Sequence, residues 1–293
     1  MLCVSINQSI IIMATIDELK NIAAQVRRDI IRMVHGAKSG HPGGSLGCAD
    51  FLTALHFELM EMTPESFTKD GVNQDMFFLS NGHITPVLYS VMARRGFFPV
   101  EELSTFRKMG TRLQGHPTPV EQIPGIRIAS GSLGQGLSVS IGAALAKKNN
   151  GDSHVVYALT GDGELQEGQV WEAVMFAGAK QVDNLIAVVD FNGKQIDGPT
   201  DEVCSLKEIT AKFEAFNWQV MQMDGNKMEE VVETMKKAKN NLFQGKPVVV
   251  VMKTEMGMGV DFMMGTHKWH GTPPNDEQAA AALAQLPETL GDF

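Results

Sequence analysis

Cysteine is scarce. The 293 residues carry three, Cys3, Cys48 and Cys204, isolated and odd in number. That pattern excludes a disulfide framework and a zinc site built on paired thiolates, and it suits a reducing, cytoplasmic setting. Basic residues are also short: 25 Lys and Arg against 34 Asp and Glu give a net charge of -9. With no basic stripe along the chain, nucleic acid is excluded as a partner. No apolar run is long enough to span a bilayer. The stretch Ser9 to Ala14 is apolar but short, no basic residue precedes it, and it reads as neither signal peptide nor anchor. Internal repeats, low-complexity tracts and inter-domain linkers are absent as well. One domain is therefore expected over residues 15–293, preceded by a disordered extension over 1–14 with Met13 as a candidate start.

What is present is the composition of a soluble globular protein, 43% apolar and 20% charged. The most informative stretch runs from Val155 to Asn192. A strand-like apolar run over 155–160 ends in Gly161-Asp162-Gly163. Apolar residues at helical spacing predict a helix over 166–178, and a second strand over 185–190 delivers Asn192. This is a βαβ unit, and its parallel strands bring Asp162 and Asn192 to the same sheet edge.

The chemistry that fits is a divalent cation clamped onto a diphosphate. Asp162 offers an anionic oxygen, Asn192 a neutral one, and the following turn a backbone carbonyl, most plausibly that of Lys194. Phosphate oxygens and water would complete an octahedron for Mg²⁺, although the donor set does not separate it from Ca²⁺ or Mn²⁺. Gly161 and Gly163 let the backbone approach a phosphate. A lone Gly-Asp-Gly is as well explained by a tight turn with a helix cap. The second strand and Asn192, at the spacing of one βαβ unit, favour the cation.

The remaining chain predicts helices over 15–37, 45–59, 86–95, 100–108, 136–149 and 225–240, and strands over 76–80, 218–223 and 247–253. The segment 193–205 reads as a loop over the site and 255–274 as a mobile loop. Uniformly apolar strands are covered on both faces, so the expected fold is α/β: a doubly wound, mostly parallel sheet with helices on both faces. His41, His83, His116 and His270 sit in Gly/Pro loops at predicted element ends. Placed alike beside a diphosphate motif, they point to proton transfer with a sugar hydroxyl. A zinc site is the rival. His267 and His270, three apart, could share a metal only on a helix, which the surrounding glycines disfavour. His35, His56 and His154 are read as structural. Ser130-Gly131-Ser132-Leu133-Gly134-Gln135-Gly136 opens a small-residue helix, either as a packing device or as a set of amides for a cofactor phosphate.

Gly-Asp-Gly followed after about 30 residues by Asn resembles the fingerprint of thiamine-diphosphate enzymes. The pieces HGAKSGHPGGSLG, FLSNGH, GHP, SGSLGQG, GDGELQEG, DFNGKQIDG and WHG, in that order from about Ile16 to Pro274, resemble transketolases. The resemblance implies the diphosphate-binding type of the thiamine-diphosphate fold. It implies His41, His83, His116 and His270 facing the thiazolium and substrate. Gly131, Ser132, Leu133, Gly161, Asp162, Gly163, Asn192 and His83 would contact the cofactor, and Glu167 would lie at the interface between two sites. Asp162, Asn192 and the Lys194 carbonyl would hold the metal.

Full-length transketolases continue for hundreds of residues, adding a pyrimidine-binding domain whose glutamate activates the cofactor. A chain ending at Phe293 is therefore expected to be the N-terminal subunit of a split transketolase. Its site would be completed by a C-terminal subunit, as an α2β2 assembly or with this chain as a homodimer. Two-carbon ketol transfer between sugar phosphates is the implied reaction. A deoxyxylulose-phosphate synthase relative, a 2-oxo-acid dehydrogenase α chain (disfavoured by the histidines), a split enzyme for an unusual sugar and a non-catalytic scaffold are the alternatives.

Overall fold

The computed structural model describes residues 14–293. Apart from Ala14, which packs against the core, the expected N-terminal extension lies outside the described residues.

The strands are β1 (Met76–Leu79), β2 (Val156–Gly161), β3 (Leu185–Phe191), β4 (Lys194–Gln195), β5 (Gly198–Pro199), β6 (Gln219–Asp224) and β7 (Val248–Lys253). Five of them pair in parallel in the order β1-β2-β3-β7-β6, while β4 and β5 form a small antiparallel hairpin. Side chains alternate between faces along each strand. On one face, Phe77, Leu79, Tyr157, Leu159, Ile186, Val188, Val248 and Val250 join a core with α1 (Ile16–Ala37), α2 (Pro42–Gly47), α3 (Ala49–Ala54) and α4 (Thr85–Arg95). On the other, Met76, Phe78, Val156, Ala158, Ala187, Val189 and Val249 pack with α5 (Gly136–Asn149), α6 (Gly168–Ala179) and the later residues Leu206, Ile209, Phe213 and Trp218. Full burial of one such aliphatic side chain stabilises the fold by roughly 1.5–3 kcal/mol, so two covered faces favour the doubly wound arrangement over an exposed sheet. The expected α/β class is observed.

Register places the site. Gly161 pairs with Asp190 across β2 and β3, so Asp162 and Asn192 emerge together at the carboxyl edge. The amide of Asp162 donates to the carbonyl of Asp190 at 3.1 Å.

Several boundaries differ from the sequence expectation. The turn at 38–44 is shorter than its glycines suggest, because Pro42 already occupies the first position of α2, where its missing N–H costs nothing. The expected helix over 45–59 is instead α2, α3 and a wide turn over Leu55–Leu59. The segment expected as a helix over 100–108 is a 3₁₀ turn, Val100–Thr105. A 3₁₀ turn, Glu164–Gln166, precedes α6 and shifts its start to Gly168. The loop at 193–205 contains the β4–β5 hairpin and α7 (Thr200–Cys204). Helices α8 (Ile209–Ala215) and α10 (Asp276–Gln285), unforeseen in the sequence, flank α9 (Met228–Asn240) in chain order.

Candidate active site

Four loops deliver the histidines to one place. His41 precedes α2, where Ser45 Oγ donates to its carbonyl at 2.7 Å. His83 lies in the 3₁₀ turn Gly82–Ile84 that follows β1. His116 follows Gly115, and His270 lies in the loop after β7. The ring of His41 is 5.1 Å from that of His83, 5.7 Å from His270 and 6.5 Å from His116, centroid to centroid, and His83 is 5.0 Å from His270. The histidine cluster expected from the sequence thus forms. The alternative pairing of His267 and His270 on a helix does not, because the two lie in an irregular loop.

Close backbone contacts hold these loops together. The Gly43 amide donates to the Trp269 carbonyl at 2.9 Å, and the Gly257 amide to the Gly43 carbonyl at 2.9 Å. That stitches the His41 loop to both ends of the His270 loop. Gly131, at φ 123°, lies against His116; a Cβ there would sit 2.5 Å from the ring. Gly82 faces Ser130 and the Gly131 amide, with a Cβ only 2.7 Å from that nitrogen. These glycines are where backbone must approach ring or backbone closely.

Burial sets the charge of the cluster. It pushes His41 down to about 4, helped by His270, Arg107 and His116. It pushes His83 down to about 3, helped by His270, His41 and His116. His270 and His116 are lowered too, again first by burial, then by His267 and by Arg107 respectively. Near neutral pH these are uncharged imidazoles, able to accept or donate a proton.

The cation end lies beside them. Asp162 is buried, its Oδ1 accepting from the Gly163 amide at 2.8 Å and its Oδ2 from the Gly193 amide at 2.6 Å. Burial, and then the neighbouring Asp190, raise its carboxyl to about 7. Asn192 donates through Nδ2 to Asp190 Oδ2 at 2.9 Å and accepts through Oδ1 from the Lys194 amide at 2.9 Å. The Lys194 ammonium pairs with Glu255 at 2.9 Å, and Glu255 also accepts from the Gly265 amide at 2.8 Å. The cation loop is thereby tied to the histidine loop. Gly271 bridges the two ends from the other side, since a Cβ there would lie 3.4 Å from His41 and 3.9 Å from Ile196.

Two observations test whether these residues fit a cation and a diphosphate. Asp162 and Asp190 are buried next to each other, and neither has an ion-pair partner among the described residues. A buried carboxylate pair of this kind is stabilised by a bound cation. Around the cleft, buried polar atoms without a partner include His41 Nδ1, Asn81 Oδ1 and Ser130 Oγ. Such groups are costly unless a ligand or water satisfies them. The residues fit.

Other expected contacts are arranged differently. Gly161 and Gly163 flank Asp162 as expected, and a Cβ on Gly163 would meet Gln195 at 3.3 Å. Ser132 and Leu133 are exposed, and among the described residues the Ser132 hydroxyl forms no hydrogen bond to the cluster. Glu167 is exposed at the start of α6, with its Cβ 3.1 Å from where a Gly134 Cβ would lie.

Sequence reasoning missed Glu164 and Asp190. The buried carboxylate of Glu164 accepts from Ser80 Oγ, from the Gly134 amide at 2.8 Å and from the Gly161 amide at 3.1 Å. It joins the end of β1, the 130–136 loop and the Gly-Asp-Gly turn. Asp190 accepts from Thr254 Oγ1 and Asn192. As an acceptor, it fixes the Asn192 amide with Nδ2 toward itself and Oδ1 toward the Lys194 amide. The available signal was Asp190 as the one charged residue in the apolar run over 185–190.

Residues 19–288 match the family described as transketolase, thiamine diphosphate binding domain. The chain is 37% identical over 264 residues to one of the subunits of the apulose-4-phosphate transketolase of Phocaeicola vulgatus, covering 90% of this chain and 92% of that one. It is 38% identical over 269 residues to the SqwG subunit of the 6-deoxy-6-sulfo-D-fructose transketolase of Clostridium sp. (strain MSTE9), covering 92% and 96%. The crystal structure of transketolase from Campylobacter jejuni superposes with a TM-score of 0.85 at 33% identity, covering 93% of this chain and 43% of that one. This chain thus spans less than half of that solved transketolase and nearly all of the two subunits. It belongs to the transketolase family of enzymes and carries the family's thiamine-diphosphate-binding domain.

Proposed function

We propose that this chain is the diphosphate-holding subunit of a two-subunit transketolase that moves a two-carbon ketol unit from a ketose phosphate to an aldose phosphate. The observation that carries the reading is the convergence of four uncharged histidines beside the Asp162–Asn192 edge, in a chain whose full-length matches are named as transketolase subunits.

Asp162, Asn192 and the Lys194 carbonyl would hold a divalent cation, Mg²⁺ being the ion that most often shares its shell with phosphates. The amides around Gly131 and Gly163 would receive the diphosphate. Thiamine diphosphate supplies carbanion stabilisation when bound, and the protein supplies position and proton transfer. His41, His83, His116 and His270 orient the sugar hydroxyls and carry their protons. A partner subunit contributes the pyrimidine-binding domain. A second copy of this chain packs on the face of α5 and α6, where Val139, Met175 and Phe176 are exposed and Glu167 lies nearby. The relatives named for apulose 4-phosphate and for a sulfonated fructose support a donor sugar with an anionic terminus, and they leave room for an unusual one.

The test is cation-dependent binding of thiamine diphosphate to the assembled protein by calorimetry. Asp162→Ala is expected to abolish it. Wild-type affinity in that variant would remove Asp162 from the cation site and return the Gly-Asp-Gly turn to a cap.

A further inference from the structure

We infer that Arg107 is a positioning residue of this site, joining the His41 loop to the His116 loop and setting a positive charge beside both rings. The inference rests on the proposed role of those rings in proton transfer.

Arg107 follows the 3₁₀ turn Val100–Thr105 and has φ 57°, in the left-handed region, where its amide donates to the Leu113 carbonyl at 2.8 Å. A strained backbone at a non-glycine position needs surrounding structure to hold it. From there the guanidinium reaches both histidine loops. Nη1 donates to Ser39 Oγ at 3.1 Å, two residues before His41, and Nη2 lies 3.5 Å from the Gly115 carbonyl, one residue before His116. Gly115 gives it room: a Cβ there would lie 2.5 Å from Arg107 Cζ. One planar side chain therefore spans two loops that share no strand or helix.

Among the described residues no carboxylate pairs with Arg107, and its buried Nε has no hydrogen-bond partner. The half-buried guanidinium thus presents an uncancelled positive charge to the rings. The groups facing His41 are His83, His116, His270 and Arg107; those facing His116 are His41, His83 and Arg107. None is acidic. A cation nearby disfavours imidazolium, and both rings are held below the ordinary histidine range, by burial first and with Arg107 contributing.

The test follows the histidine ring signals by NMR through a pH titration of the cofactor-free chain, in wild type, Arg107→Gln and Arg107→Lys. In Arg107→Gln the His41 and His116 curves should move to higher pH. Arg107→Lys keeps the charge without the two-pronged reach, so its curves should stay nearer wild type. In the assembled enzyme, the acid limb of kcat/KM should move to higher pH in Arg107→Gln. Unmoved curves in a folded Arg107→Gln variant would overturn the inference and leave Arg107 as a loop clamp only. If that variant does not fold, Ser39→Ala decides: it removes the acceptor that holds Nη1 on the His41 loop, so the His41 curve should move more than the His116 curve, and no movement in either would overturn the inference. The titration needs no turnover, so it succeeds or fails separately from the ketol-transfer reading.

Discussion

Individual residues at this site are defined by what burial does to them. Asp162 was legible because it sits between two glycines at a strand end, and Asn192 because it closes the next strand. Asp190 and Glu164 were not, because their importance comes from partners far along the chain: Thr254 for one, Ser80 and Gly134 for the other. The four histidines could be singled out by their loops, but their spacing in space could not be read before folding. His56 shows the same limit in reverse. Read as structural, it is fully enclosed between Phe77 and Phe97, with ring centroids 5.7 and 6.5 Å away and neither nitrogen partnered. Burial, helped by Arg95, holds it down at about 3. The unfolded chain therefore binds a proton at His56 below about pH 6.5 that the folded chain refuses until about pH 3. Stability from this residue is present above the unfolded value and is lost as pH falls through that window. His56→Leu should remove this loss, so that urea midpoints compared at pH 7 and pH 4 fall less for the variant than for wild type. Equal falls would show that His56 does not contribute.

At the scale of elements, strands and long helices were the most legible parts. Uniformly apolar runs located β1, β2, β3, β6 and β7 to within a residue or so, and the helix expected from residue 15 starts at Ile16, behind a Thr15–Glu18 capping box. Short elements were not legible. The turn at Val100–Thr105 carries helix-forming residues but ends where Arg107 turns left-handed. Helices α8 and α10 are 7 and 10 residues long, and neither shows a strong apolar stripe. The small residues of the 130–149 segment do more than one reading required. Gly136 opens α5 directly against the end of β1, its amide donating to Ser80 Oγ at 3.0 Å, and a Cβ would lie 2.5 Å from Ser80 Cβ. Gly136→Ala should push the two elements apart and cost about 1–3 kcal/mol, the usual range for overpacking. Cofactor affinity should drop as well, because Ser80 also bonds Glu164 under the Gly-Asp-Gly turn. An unchanged urea midpoint would show that α5 can slide without loss.

The whole molecule adds what neither residues nor elements contain. Strand order is not written in local patterning: β7, last of the five in sequence, lies between β3 and β6. That placement brings Thr254 to Asp190 and starts the 254–274 loop beside the Asn192 turn, so His270 returns over a site whose cation ligands lie far earlier in the chain. The histidine cluster is thus a property of topology, drawn from four loops. We propose that this surface is one part of a shared active site. The most direct measurement is ketol transfer from xylulose 5-phosphate to ribose 5-phosphate with thiamine diphosphate and Mg²⁺, for the chain alone and mixed with a partner carrying the pyrimidine-binding domain. Turnover only in the mixture, abolished by Asp162→Ala, is the predicted result. Turnover by this chain alone at the rate of the mixture would show that its site needs no partner.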